Sequence, residues 1–239
     1  MITSEWLNDA QVANILALLL LPTSRRIVFN YPRGHNAHTL FQSKRVQAAL
    51  NHTISPPLAG VVQNYVADAH WRKLIVSFEE SRVYYFEPFG GRLSERRNAE
   101  LLRSFELNLK ATDDAWELES IDIKLQSDGS SCGVWIVLVD KAYIDYCDSA
   151  TFGSGGFKAF LVEWLAERGI SDLGRDGSRT TVKSNMDYIL EERGRLREEL
   201  RSAAEDGALS WADGPMLDVF VREGEKEPTV EELEALEVD

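Results

Sequence analysis

Cysteine is scarce in this sequence, with only Cys132 and Cys147 in 239 residues. A disulfide framework therefore cannot be what stabilises the chain. The two lie 15 positions apart in one helix-like stretch, about 22 Å of helical rise, whereas a disulfide needs Cα atoms within about 7 Å. Both thiols are expected to be free, as suits a reducing compartment. Long hydrophobic runs are lacking too. The apolar run at residues 15–21 falls far short of the roughly 20 residues that cross a bilayer, and the acidic opening at residues 1–9 has no positive stretch of the kind that starts a secretory signal. Positive charge is also in short supply. The net charge is -13, and about 16 acidic against 6 basic side chains lie in residues 191–239, so most of the imbalance belongs to the C-terminal part. Such a chain lacks the basic field that neutralises phosphates, which argues against nucleic acid and membranes as partners and in favour of a protein. Of the four histidines, His35, His38 and His52 sit in polar, loop-like surroundings. No cysteine or carboxylate stands near them at ligand spacing, so neither a metal nor a cofactor is expected.

What is present is enough for a core. Hydrophobic residues make up 44% and aromatic residues 10%, the proportions of a folded domain rather than a disordered chain. The pair Asn8-Asp9 offers an N-cap for an apolar segment closed by Pro22, which predicts a helix over residues 9–21. A short strand follows at 26–31, and residues 36–57 give no decisive pattern. Runs rich in Val, Ile, Phe and Tyr at 61–66, 71–78 and 82–87, with turn residues between them, predict a β-meander. Residues 94–109 carry a helical apolar face, 116–125 return to strand alternation, and 132–146 form an apolar run that reads as a buried central helix. Further helices are predicted at 157–167 and, with many charges, at 182–204. The tail at 223–239 is acidic and poor in aromatics. These elements give an α+β fold, divided into a domain at 1–169 and a charged helical extension with an acidic tail at 170–239.

One set of residues carries chemistry. A thiol becomes a good nucleophile at neutral pH when a base takes its proton and a third group fixes the base. Cys132 follows Gln126-Ser127-Asp128-Gly129-Ser130-Ser131 and precedes Gly133, which places it at a tight turn opening a helix. A helix N-terminus favours negative charge, and its backbone N–H groups can cradle an oxyanion. A cysteine in that position is by itself more often a small core residue. His70-Trp71 heads a predicted strand whose hairpin returns to Glu87. With a two-residue loop at Glu79 and Glu80, or a four-residue loop over 79–82, alternation puts His70 and Glu87 on one face. A bend before His70 is expected to absorb their offset.

His70-Trp71, an acid 17 positions later, then Gln126 and Cys132-Gly133 six positions apart resemble the Ulp1 and sentrin-specific cysteine peptidases. Trp6-Leu7-Asn8-Asp9 resembles that family's first motif, and Phe86-Glu87-Pro88-Phe89-Gly90 resembles the acid strand of adenovirus protease. The likeness runs from about Trp6 to Leu165; the remainder has no counterpart in it. It implies a papain-like fold of the Ulp1/adenain type, with a mixed or antiparallel sheet packed on the helix that bears the nucleophile. Cys132 would be the nucleophile, His70 the base, Glu87 its orienting acid and Gln126 an oxyanion donor. The family's tryptophan after the histidine covers a tunnel for a Gly-Gly tail, a role that would fall to Trp71 unless it is a core residue. Trp6 and Asp9 would face substrate, unless they are a core anchor and a helix cap. The implied substrate is a ubiquitin-like modifier, SUMO foremost, with ubiquitin or Nedd8 as alternatives. The implied enzyme is a monomer in cytoplasm or nucleus, or in a host cell if it is a secreted effector. A YopJ-type acetyltransferase shares the His, Glu, Cys order, and a catalytically silent modifier-binding module shares the fold.

Overall fold

The computed structural model describes residues 27–30, 59–67, 70–92, 116–149 and 155–205, together with Val12, Ile15, Ser94 and Arg96. Five strands form one sheet in the order of the chain: β1 (Ile27–Asn30), β2 (Gly60–Ala67), β3 (His70–Ser77), β4 (Arg82–Phe86) and β5 (Glu117–Ile121). β2, β3 and β4 are an antiparallel meander, flanked by β1 and β5 in parallel pairings. The sheet is therefore mixed, as expected. Each parallel edge requires a long crossover, since a tight turn can only reverse a strand.

The hairpin between β3 and β4 pairs Ser77 with Arg82. Its register is that of the two-residue loop expected at Glu79 and Glu80, but the loop itself takes in Phe78 to Ser81. Ser81 closes it by adopting a φ of 49° and donating its N–H to Phe78 O at 3.3 Å. β5 ends at Ile121, earlier than the alternation suggested. Beyond it a single antiparallel bridge joins Lys124 to Phe89.

The long apolar run becomes α1 (Cys132–Asp148), with 14 of its 17 residues buried. A helix hydrophobic on every side must be covered on every side. The sheet covers one side, through Ile75, Tyr84 and Phe86, and helices α2 (Phe157–Glu167) and α3 (Arg179–Glu205) cover others. Trp135, Tyr143 and Tyr146 are almost fully enclosed, and each side chain of that class contributes at least about 1.5–3 kcal/mol on burial. Tyr143 lies so close to β2 that a Cβ on Gly60 would overlap its hydroxyl, which is why a strand otherwise rich in Val carries glycine there. α3 sends Ile189, Leu196 and Leu200 into the same hydrophobic cluster. Among the described residues both cysteines are free and buried, and no helix is long and apolar enough to cross a membrane.

The helix expected at 9–21 is represented by Val12 and Ile15, both helical and buried. Apart from Ser94 and the helical Arg96, the helix expected at 94–109 lies outside the described residues. So do the stretch at 36–57 and the acidic tail.

Candidate active site

β3 opens on His70, and β4 ends one residue short of Glu87. Lys73 pairs with Phe86, so continuing the register sets Glu87 across from Arg72 and Phe89 across from His70. Residues two apart share a face of a sheet, and His70 and Glu87 do so here. His70 Nε2 and Glu87 Oε1 form a short hydrogen bond, and the two side chains are 13% and 9% exposed. Phe89 stacks on the imidazole, with ring centroids 4.7 Å apart and planes at 22°.

The bend lies on the other side from the one expected. β3 stays paired to β2 through His70 and Ala67, while the chain turns just after the acid, where the Gly90 N–H donates to Glu87 O at 2.9 Å. Pro88 has no N–H to continue a ladder. The same turn seats the carboxylate: Phe89 N–H donates to Oε1 at 2.9 Å and Gly91 N–H to Oε2 at 2.8 Å. Burial disfavours the charge on Glu87, but hydrogen bonds from His70, Phe89 and Gly91 outweigh it and hold the carboxyl below its ordinary range. Burial likewise opposes charge on His70. Hydrogen bonds with Cys132 and Glu87, together with their charges, prevail and push the imidazole up to about 9. With Nε2 occupied by Glu87, Nδ1 is the nitrogen left to the thiol.

Gly91 is the tight point of this seat. A Cβ there would overlap Glu87 Oε2, so Gly91→Ala is expected to push the carboxylate off its two N–H donors. Activity should fall at least about tenfold, as for loss of a supporting residue one shell away, while a thermal melt moves little. Unchanged kcat/KM would show that the seat tolerates the methyl group.

Residues 126–131 lead into α1 around one carboxylate. Asp128 Oδ1 accepts from Ser131 Oγ at 2.6 Å, Ser131 N at 3.0 Å, Ser130 N at 3.2 Å and Gln126 Nε2 at 3.2 Å. Burial raises the Asp128 carboxyl, but these donors win and lower it. Ser131 is the N-cap residue yet makes no side-chain cap bond of its own, because its hydroxyl is committed to Asp128. Cys132 and Gly133 occupy the first turn, where backbone N–H groups have no carbonyl partner within the helix.

Gln126 is fully buried. Its Nε2 also donates to the Asp128 backbone oxygen at 2.6 Å, and its Oε1 has no partner. Flipping the amide would set Oε1 against the Asp128 carboxylate, so this orientation is the stable one.

The structure thus joins His70 to Glu87, brings Cys132 near enough to act on the imidazole, and sets Gln126 at the base of the loop before the thiol. Trp71 is 3% exposed and belongs to the hydrophobic core. Cys132 is itself 0% exposed. Trp6 and Asp9 lie outside the described residues. Three residues at the site were not singled out from the sequence. Phe89 and Asp128 had signals there, an aromatic two positions after the acid and an Asp-Gly turn just before a helix. Arg193, from α3, had none. No group of metal-ligating side chains occurs among the described residues.

No protein-family model matches the sequence, and no curated protein matches it. Solved structures with a similar course include the C-terminal Ulp1 protease domain in complex with Smt3, the yeast orthologue of SUMO: 14% identity, TM-score 0.46, covering 69% of this chain and 80% of that one. Another is an ASFV protease, at 14% identity and TM-score 0.47, covering 64% and 62%. A third is the Chlamydia trachomatis effector Cdu1 bound to ubiquitin, at 11% identity and TM-score 0.49, covering 83% and 95%.

Proposed function

We propose that this chain is a papain-like cysteine peptidase of the Ulp1 type that cleaves after the C-terminal glycine of a ubiquitin-like modifier, SUMO foremost. The observation that carries this reading is a single imidazole, His70, held between a buried carboxylate and a thiol that starts a buried helix. Geometry of this kind activates sulfur for acyl transfer.

In the proposed reaction the Cys132 thiol gives its proton to His70, and the sulfur forms a bond to the carbonyl carbon of the C-terminal glycine. The carbonyl π pair moves to oxygen, which the Cys132 N–H and the Gln126 amide stabilise; such a donor typically contributes about 3 kcal/mol. The C–N bond then breaks, and the proton on His70 goes to the departing amine. Water, deprotonated by His70, cleaves the resulting thioester and returns the thiol. Glu87 keeps the ring in the orientation and protonation state that these transfers need, and the backbone donors of Phe89 and Gly91 keep Glu87 in place. The chemistry needs no cofactor, and the modifier is proposed to meet a monomer in the cytoplasm or nucleus.

The test is covalent labelling with propargylamide probes built on SUMO, ubiquitin and Nedd8, read by intact mass beside Cys132→Ala. A probe-sized adduct on the wild type, absent from the variant, is expected with at least one modifier. A folded wild-type protein that takes up none of the three would overturn the reading.

A further inference from the structure

α3 lies beyond the stretch from Trp6 to Leu165 on which the sequence resemblance rests, yet it reaches the loop before Cys132. Arg193 is 3% exposed, and its Nη2 donates to Ser130 O at 3.4 Å, two residues before Cys132. Its Nε is buried with no hydrogen-bond partner. Burying a guanidinium is costly unless its charge is put to use, and one weak bond to a carbonyl is poor compensation. The neighbouring residue ties the same helix to the same element: Glu192 accepts from Lys141 Nζ of α1 at 2.6 Å, while Ile189 and Leu196 join α1's core. Arg193 is thus buried behind the loop rather than reaching it from solvent.

We infer that Arg193 is a positioning residue for the proposed peptidase, a fixed positive charge from α3 that supports negative charge on the Cys132 sulfur and holds Ser130 in the loop before it. The inference rests on the cysteine-peptidase reading of this site. The charged groups of this site include His70 from β3 with its partner Glu87, Asp128 from the loop, and Arg193 from α3, on which Arg197 also acts. Burial lowers the Arg193 guanidinium from its ordinary value, while Asp128 and Cys132 act to raise it, so the interaction between this cation and the nucleophile is mutual. Without Arg193, the loop before Cys132 loses the cation that α3 holds against Ser130 O.

The test measures the rate of Cys132 alkylation by iodoacetamide at pH 7, read on the Cys132 peptide by mass spectrometry so that Cys147 does not contribute. The reagent is neutral, so Arg193 cannot act by attracting it, and the assay needs no modifier. Arg193→Gln keeps a donor for Ser130 O but removes the charge; the rate is expected to fall roughly tenfold, the scale of one charge acting at close range in a partly buried site. Arg193→Lys keeps the charge and should stay within about twofold of wild type. If the Gln variant does not fold by circular dichroism, Arg193→Met, which keeps the bulk of the stem, takes its place. A Gln or Met variant that reacts like wild type, or a folded Lys variant that falls as far as Gln, overturns the inference while the peptidase reading stands. A wild-type Cys132 no faster than a free thiol, with no modifier adduct, overturns both.

Discussion

Glu87→Gln is expected to lower kcat/KM roughly 10³- to 10⁴-fold, the scale seen when the carboxylate orienting a catalytic histidine becomes an amide. Glu87 faces three donors, His70 Nε2 and the N–H groups of Phe89 and Gly91. A carboxylate accepts all three. An amide of the same shape must turn its NH₂ toward one of them, so either the ring loses its partner or the turn at Gly90 is disturbed. The pH dependence of stability separates these contributions. His70 is raised to about 9, so what it adds is fully present below its ordinary value near 6.5 and fades as pH rises toward 9. Glu87 is lowered, so its contribution is present above its ordinary value and is lost as pH falls. The Tm difference between wild type and Glu87→Gln should therefore be largest near pH 6 and shrink by pH 9.5, where the attraction between imidazolium and carboxylate is gone and hydrogen bonds alone distinguish carboxylate from amide. Near-wild-type turnover, or a gap that widens with pH, would show that Glu87 does not govern His70.

The largest loss of stability is expected from the buried pair that joins α1 to β3. Lys73 and Asp140 are both 0% exposed and form an ion pair, and Asn64 Nδ2 on β2 donates to Asp140 Oδ2 at 3.0 Å. Burial pulls Lys73 down to about 8 and pushes Asp140 up, against the attraction between them. Each charge is tolerated only because the other is there. Lys73→Met or Asp140→Leu alone strands an ion in the core and should cost about 3–5 kcal/mol, whereas the double variant should recover most of that, because an apolar pair of similar volume carries no desolvation penalty. Asn64 then loses its acceptor, a residual of about 1–3 kcal/mol. Urea unfolding of the four proteins gives the cycle directly; single variants within about 1 kcal/mol of wild type would mean that water reaches the pair. The pair lies three residues from His70 along β3 and two helical turns from Cys132 along α1, so it also fixes the two halves of the site against each other.

Among the candidate site residues, His70 and Glu87 were readable on one face because strand alternation is local geometry and holds whichever of the considered loops joins the strands. Cys132 at a helix start was readable from an abrupt change, a Gly/Ser turn followed by an unbroken apolar run. α2 was readable to the residue from its flanking glycines and apolar spacing. The position of the bend was not, because it depends on whether β2 holds His70 in register, a pairing made across another strand. Lys73 sits in His-Trp-Arg-Lys-Leu-Ile-Val-Ser, where a lysine would ordinarily face water; only the packing of α1 over β3 buried it beside Asp140, 67 positions later. Arg193 on a charged helix looked like one solvated cation among many until α3 folded back to within reach of Ser130, 63 positions earlier. The sequence by itself determined most of the described elements and the faces of β3 and β4, since backbone periodicity acts over a few residues. The tertiary structure alone decided which charges are buried and which partners meet, because these depend on contacts between segments far apart in the chain, whose apposition no local pattern encodes.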